Sequence, residues 1–313
     1  MGAEEARVET HSRLHVTFVC LGKPATCNQE RVLYMCKVRC KVQAVKRNFP
    51  ALHLRNAPLI YVVAQVRFSP IVSIEKFVPE IQEKLRHKGF PRFVRGQVPE
   101  ITIQPDGTPK FNAVERFEFQ DKEARLGIVL QSNSLAVHTN NYSNYEAFEE
   151  EIKTALMAVH RVVSISLAER IGLRYVNLIR LQDGEKWTDY VHEGLLGLEP
   201  RSVGVKHWLS RSEALGPTEV GKLVIRCTQS EQAFPPDLLT STLQDSVELG
   251  KGEIVTTLDF DHFVEGVSDF KVSDAVLSLE QLHESLDLVF AKSVTANALK
   301  KWGRVEEQNA KHH

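Results

Sequence analysis

The sequence has no apolar stretch approaching the ~20 residues of a membrane span, and its first 30 residues, with Glu4, Glu5 and Glu9, lack the basic-then-apolar order of a secretory leader. These absences predict a cytoplasmic protein with no membrane partner. Cysteine is scarce at five residues, and a chain with no oxidising destination is not a disulfide-stapled scaffold. Local enzyme signatures are missing too: there is no G-x-x-x-x-G-K-[ST], G-x-G-x-x-G, H-E-x-x-H, G-x-S-x-G or C-x-x-C. Phosphate-loop, dinucleotide, zinc-protease and serine-hydrolase readings therefore lose their usual support, and no cofactor is expected. A dispersed active site would leave no such trace. Nor is there an excess of charge of either sign, with 39 Lys+Arg against 40 Asp+Glu. At 42% hydrophobic and 25% charged residues, the chain is compositionally globular rather than disordered, collagen-like or coiled-coil.

The balance hides an asymmetry. Residues 1–54 contain nine basic and four acidic side chains, which leaves 30 basic and 36 acidic ones in residues 55–313. Cys20, Cys27, Cys36 and Cys40 lie in the first segment, and Cys227 stands alone in the remainder. Intervals of six, eight and three residues do not match the paired knuckles of a zinc site. Strict alternation instead puts Cys36, Val38, Cys40 and Val42 on one face of a strand, and Leu14, Val16, Phe18 and Cys20 alternate likewise. Residues 1–54 thus read as a basic extension, a hairpin or an arm, with residues 1–34 alternatively lying upstream of a start at Met35. Lys37, Arg39, Lys41, Lys46 and Arg47 form its acid-free run, which suits a solvated face or a nucleic-acid contact.

The rest reads as an α+β fold built from a repeated β-α-β4-α unit. Leu59 to Phe68 is rich in β-branched residues and predicts a buried strand. Ser73 opens a helical stripe that Pro79 kinks or delays to Val78, and Gly89 and Pro91 close it. Strands are expected at 97–103, 113–120, 125–131 and 134–139, followed by a long helix with Ser143 and Glu146 as its capping box. The order then restarts. A second leading strand covers 173–181 and a short helix 188–198, with strands at 203–209, 220–227 and 254–260. A closing helix carries Leu279, Leu282 and Leu286, with Ser278 and Gln281 echoing the capping box. The expected units are 55–169 and 170–313, their sheets joined into one mainly antiparallel curved sheet with helices on one face.

This order resembles the duplicated arrangement of TATA-binding-protein-like folds and, more loosely, of GyrI-like ligand-binding domains. On Asn56-Ala57-Pro58-Leu59, Arg170-Ile171-Gly172-Leu173-Arg174-Tyr175, Leu258-Asp259-Phe260-Asp261-His262 and Leu299-Lys300-Lys301-Trp302-Gly303, residues 56–303 also resemble a sporadically distributed bacterial and archaeal family of unassigned function. The scattered occurrence of that family implies an accessory role in a defence or toxin-neutralising system.

Two groups of side chains are candidates for chemistry. Asp259 and Asp261 share one side of a strand about 7 Å apart, a spacing that two metal-binding carboxylates can use, although hard cations need more ligands. Arg170, Arg174 and Arg180 with Tyr175 and Asn177 straddle the unit junction. Arg174 and Arg180 point one way, as forks for a carboxylate or phosphate or as partners for Glu149, Glu150, Glu151 or Glu169, while Tyr175 and Asn177 point the other. Cys227 among Leu223, Val224 and Ile225 reads as a buried hydrophobe. The resulting expectation is a non-enzymatic binding protein that presents a sheet groove to a protein partner or small ligand. A metal-dependent hydrolase or nuclease using Asp259 and Asp261, and nucleic-acid binding through the N-terminal basic run, are the alternatives.

Overall fold

A computed structural model describes residues 52–104, 107–206, 209–238, 242–243 and 247–304, all within a compact unit that runs from Val45 to the C-terminus. Lys37, Arg39, Lys41, Lys46 and Arg47 lie outside the described residues. So does the expected N-terminal hairpin.

The elements run β1 (Leu59–Phe68), α1 (Val78–Arg86), β2 (Arg92–Ile103), β3 (Pro109–Gln120), β4 (Leu126–Gln131), β5 (Ser134–Thr139) and α2 (Tyr145–Val163). The second half follows with β6 (Leu167–Ile179), α3 (Glu193–Leu196), β7 (Ser210–Pro217), β8 (Lys222–Ser230), β9 (Val255–Asp269), α4 (Val272–Ser293) and α5 (Ala296–Lys301). The nine strands form one open antiparallel sheet in the order β2-β3-β4-β5-β1-β6-β9-β8-β7. The two leading strands, β1 and β6, pair at its centre, with Val63 opposite Arg174. The expected boundary at 169/170 therefore falls inside β6, and the two expected units share a sheet and a core.

Alternation determines the layering. Val62, Ala64, Val66 and Phe68 of β1 join one core with Leu173 and Tyr175 of β6, Leu258 and Phe260 of β9, and the stripes of α1, α2 and α4. The opposite face carries Tyr61, His138, Arg174, Asp259 and Asp261, and a strap from Ala233 to Leu238 crosses it. No described helix is long and apolar enough to cross a membrane.

Several boundaries differ from the sequence expectation for local reasons. A 3-10 turn at Ile74–Lys76 precedes α1, which starts at Val78 with Pro79 in its first turn, where a missing N–H costs no helical bond. Asn144 rather than Ser143 caps α2, its Oδ1 accepting from Ala147 N at 2.8 Å. Ser278 caps nothing, because α4 begins at Val272 and the Ser278 hydroxyl donates to the Asp274 carbonyl inside the helix. The expected helix at 188–198 splits into a 3-10 turn (Trp187–Asp189) and α3, and Val191 between them bridges to Val294. The expected strand at 203–209 is absent from the described residues there: Pro200–Val203 is a 3-10 turn, Gly204 takes a left-handed φ of 82°, and the strand forms later, at β7. The second half thus follows its leading strand with three described strands instead of four.

Candidate functional site

Two arrangements of polar side chains lie on opposite faces of the central strands, and the alternation along β6 feeds both. Arg170 and Arg174 point to the strap-crossed face, while Tyr175 and Asn177 point to the helical one, as their parity predicts.

On the strap-crossed face, antiparallel register sets Arg174 opposite Asp261 and Arg226 of β8 opposite Asp259. Arg174 reaches diagonally to Asp259, with Nε donating at 2.7 Å and Nη2 at 2.8 Å, and its Nη1 donates to Asp237 at 2.5 Å. Arg226 adds a bond from Nη1 to Asp259 at 3.2 Å and one from Nε to Glu213 at 2.6 Å. Arg170 approaches Asp261 at 3.2 Å and lies over the Phe263 ring, 4.2 Å from its centroid. Although burial opposes it, the Asp259 and Asp237 carboxylates hold the Arg174 guanidinium well above its ordinary range. Asp261 moves upward, because burial outweighs the attraction of Arg170 and Arg174. The two aspartates considered for metal binding are therefore engaged by three guanidinium groups, and among the described residues no cluster of three or more His, Cys, Asp or Glu has metal-holding geometry. The acids that pair with Arg170 and Arg174 come from β9 and the strap, where sequence had pointed to Glu149–Glu151 and Glu169; Glu169 instead accepts from Ser69 at 3.0 Å. Arg180 lies just past β6 and pairs with Glu253 at 3.3 Å and with the Glu248 carbonyl.

The same face carries a second buried network, which no local pattern of residues announces. His138 on β5 places Nδ1 2.8 Å from the Tyr61 hydroxyl and Nε2 3.1 Å from Glu118 Oε1. Glu118 also accepts from Arg116 at 2.8 Å and Gln120 at 3.0 Å, and Gln120 donates on to Thr242 at 2.7 Å. Burial alone would raise the Glu118 carboxyl, but the hydrogen bonds and charge from His138, with further bonds from the other donors, bring it down to about 2. Gly127 makes room for this network, since a β-carbon there would collide with His138 Nε2 and come within 3.1 Å of Glu118. Gly127→Ala is expected to cost about 1–3 kcal/mol by overpacking, read as a lowered urea midpoint. Gly172 faces the far end of a long side chain: its added methyl would meet the Arg170 guanidinium at 2.7 Å, which can shift at the expense of its bond to Asp261, so Gly172→Ala should cost less.

On the helical face a cavity of about 450 Å³ opens where the two halves meet. Its walls are the N-terminal turn of α2 (Tyr142 to Glu146), His283, Asp287 and Phe290 of α4, Tyr175 and Asn177 of β6, and the stretch from Leu52 to Leu59. That stretch is held in place by the residues just after α5, with Arg55 N donating to the Gly303 carbonyl and Asn56 N to the Trp302 carbonyl. Inside, the Tyr142 hydroxyl lies 3.4 Å from that of Tyr175, which lies 2.9 Å from His283 Nδ1, and Asp287 approaches the same imidazole at 3.6 Å. Tyr145 stacks on His283 with ring centroids 4.0 Å apart. Burial pushes both the Tyr142 and the Tyr175 phenols well above their ordinary range, so they remain protonated hydrogen-bonding groups. The residues sequence missed here are Tyr142, Tyr145, His283 and Asp287. Only His283 left a trace, as a polar residue on the stripe of Leu279, Leu282 and Leu286.

Burial also pushes Cys227 up to about 12, consistent with a buried hydrophobe and unsuited to a thiolate nucleophile. Compared with known proteins, the chain matches no family model and no curated protein.

Proposed function

We propose that this chain is a non-enzymatic binding protein that takes a small ligand in the cavity between α2, α4 and β6, at the junction of two halves derived from a duplicated unit. The observation that carries this reading is the cavity itself. Its volume of about 450 Å³ fits a small organic molecule, Tyr142, Tyr145 and Phe290 supply aromatic wall, and a linked set of hydrogen-bonding groups converges on one side. Phenols held in the protonated form suit recognition better than proton abstraction, because a general base must be free to lose its proton near the working pH. The cavity on the helical side supports this reading better than the sheet groove first expected, where ion pairs fill the central strands beneath the crossing strap.

The test is native mass spectrometry of protein purified from its host, followed by thermal-shift screening of host metabolite fractions. A retained or added ligand at 100 times its dissociation constant should stabilise the fold by about 2.7 kcal/mol. Tyr142→Phe, which removes one hydroxyl, and Asn177→Leu should each reduce that shift. If no fraction moves the melting temperature of the wild type, or if both variants respond as the wild type does, the cavity is not the binding site.

A further inference from the structure

The sheet ends on β2 and β7, whose outer edges pair with no other described strand. The two edges differ in chemistry. Pro99 lies in the interior of β2, a residue characteristic of edge strands that do not recruit a further one. In β7 the only proline is the final residue, Pro217. Leu215, and Leu209 just before the strand, are each 66% exposed, and Leu198 and Val203 in the preceding segment are exposed at 70% and 62%. An unpaired strand edge beside exposed aliphatic side chains is a template for another strand.

The order of residues along this edge specifies which strand fits. Let a second copy of β7 run antiparallel to the first about a two-fold axis at Ser212. Leu209 then faces the partner's Leu215, Ser210 faces the partner's Ala214, and Arg211 faces the partner's Glu213. Each contact occurs twice, as a self-complementary interface requires. Neighbouring registers lose this match. An axis at Arg211 sets two arginines against each other, and one at Glu213 sets two carboxylates against each other, both unfavourable directly across a ladder. Glu213 already accepts from Arg211 at 2.5 Å and Arg226 at 2.6 Å, so a second Arg211 joins an existing charged group. At 47% and 42% exposure these charges select register more than they add affinity. We propose that β7 is a homodimerisation edge, with two copies pairing antiparallel about Ser212 so that their two sheets become one.

Sedimentation velocity of the full chain over a concentration series tests this. The wild type should show a concentration-dependent dimer. Leu215→Lys and Arg211→Glu should each weaken it at least about tenfold. Leu209→Asp combined with Leu215→Lys should restore it, because the opposite new charges face one another across the axis, and the restoration should fade at high salt. The altered side chains are at least half exposed or nearly so, and unchanged circular dichroism and melting separate a lost interface from a lost fold. The proposal is overturned by a wild type that stays monomeric, by a dimer that survives both single substitutions, or by a double variant no better than Leu215→Lys.

Discussion

Arg174→Ala should lower the folding free energy by about 3–5 kcal/mol, the range for removing one partner of a buried ion pair. The Arg174 side chain is only 13% exposed and that of Asp259 only 4%. Without the guanidinium, the buried Asp259 retains one described arginine contact, the 3.2 Å bond from Arg226. The substitution also releases Asp237, whose bond to Arg174 anchors the strap from Ala233 to Leu238. Two readouts separate these consequences: urea denaturation reports the global loss, and hydrogen exchange should show faster exchange across residues 233–238 even under native conditions. Replacing the pair together, Arg174→Met with Asp259→Leu, should recover part of the loss, since it leaves no buried Asp259 carboxylate uncompensated and Arg226 keeps its bond to Glu213, although Asp237 still loses its anchor. A single-variant cost below about 1 kcal/mol would mean that the pair behaves as a solvated surface contact.

The second large effect is an acid limb that belongs to Glu118. Its carboxyl falls from an ordinary value of 4.5 to about 2 in the folded protein, which corresponds to about 3 kcal/mol. Because the folded value is the depressed one, this stabilisation is fully present above the unfolded value and disappears as pH falls from about 4.5 to about 2. Glu118→Gln should abolish that portion of the pH dependence. At neutral pH it should also cost about 2–3 kcal/mol, because an amide is a weaker acceptor for His138, Arg116 and Gln120 and brings a donor of its own. Urea unfolding across the acid range, wild type against variant, measures both. Parallel stability curves for the two proteins would assign the acid sensitivity to other carboxylates.

What could be read in advance followed from local rules. β1, α1 and β5 lie where period and punctuation placed them, because Leu59–Phe68 and Ser134–Thr139 are β-rich runs bounded by turns and Gly89 ends the first helix. The opposite directions of Arg174 and Tyr175 follow from strand parity alone. The misplaced caps show where such rules stop. Ser143 and Asn144 are adjacent and both able to cap, and Ser278 fits a capping pattern while standing inside a helix that the core stripe carries further back to Val272. Likewise β7 has little apolar alternation to announce it. Serines, glycine and charges make up most of Ser210–Pro217, and it is a strand because β8 offers it a ladder.

By itself, then, the sequence determined the α+β class, the antiparallel character of the sheet and the facing of the β6 side chains, since each depends on periodicity within a few neighbours. Only the tertiary structure decided which distant groups meet. Register across β6, β9 and β8 turned two aspartates at metal-like spacing into partners of Arg170, Arg174 and Arg226. Packing of α2 and α4 over β6 brought Tyr142, Tyr145, Tyr175 and His283, from positions up to 141 apart in number, to the wall of one cavity. Contacts between residues so far apart are set by how whole elements pack, and no local pattern of residue types encodes that.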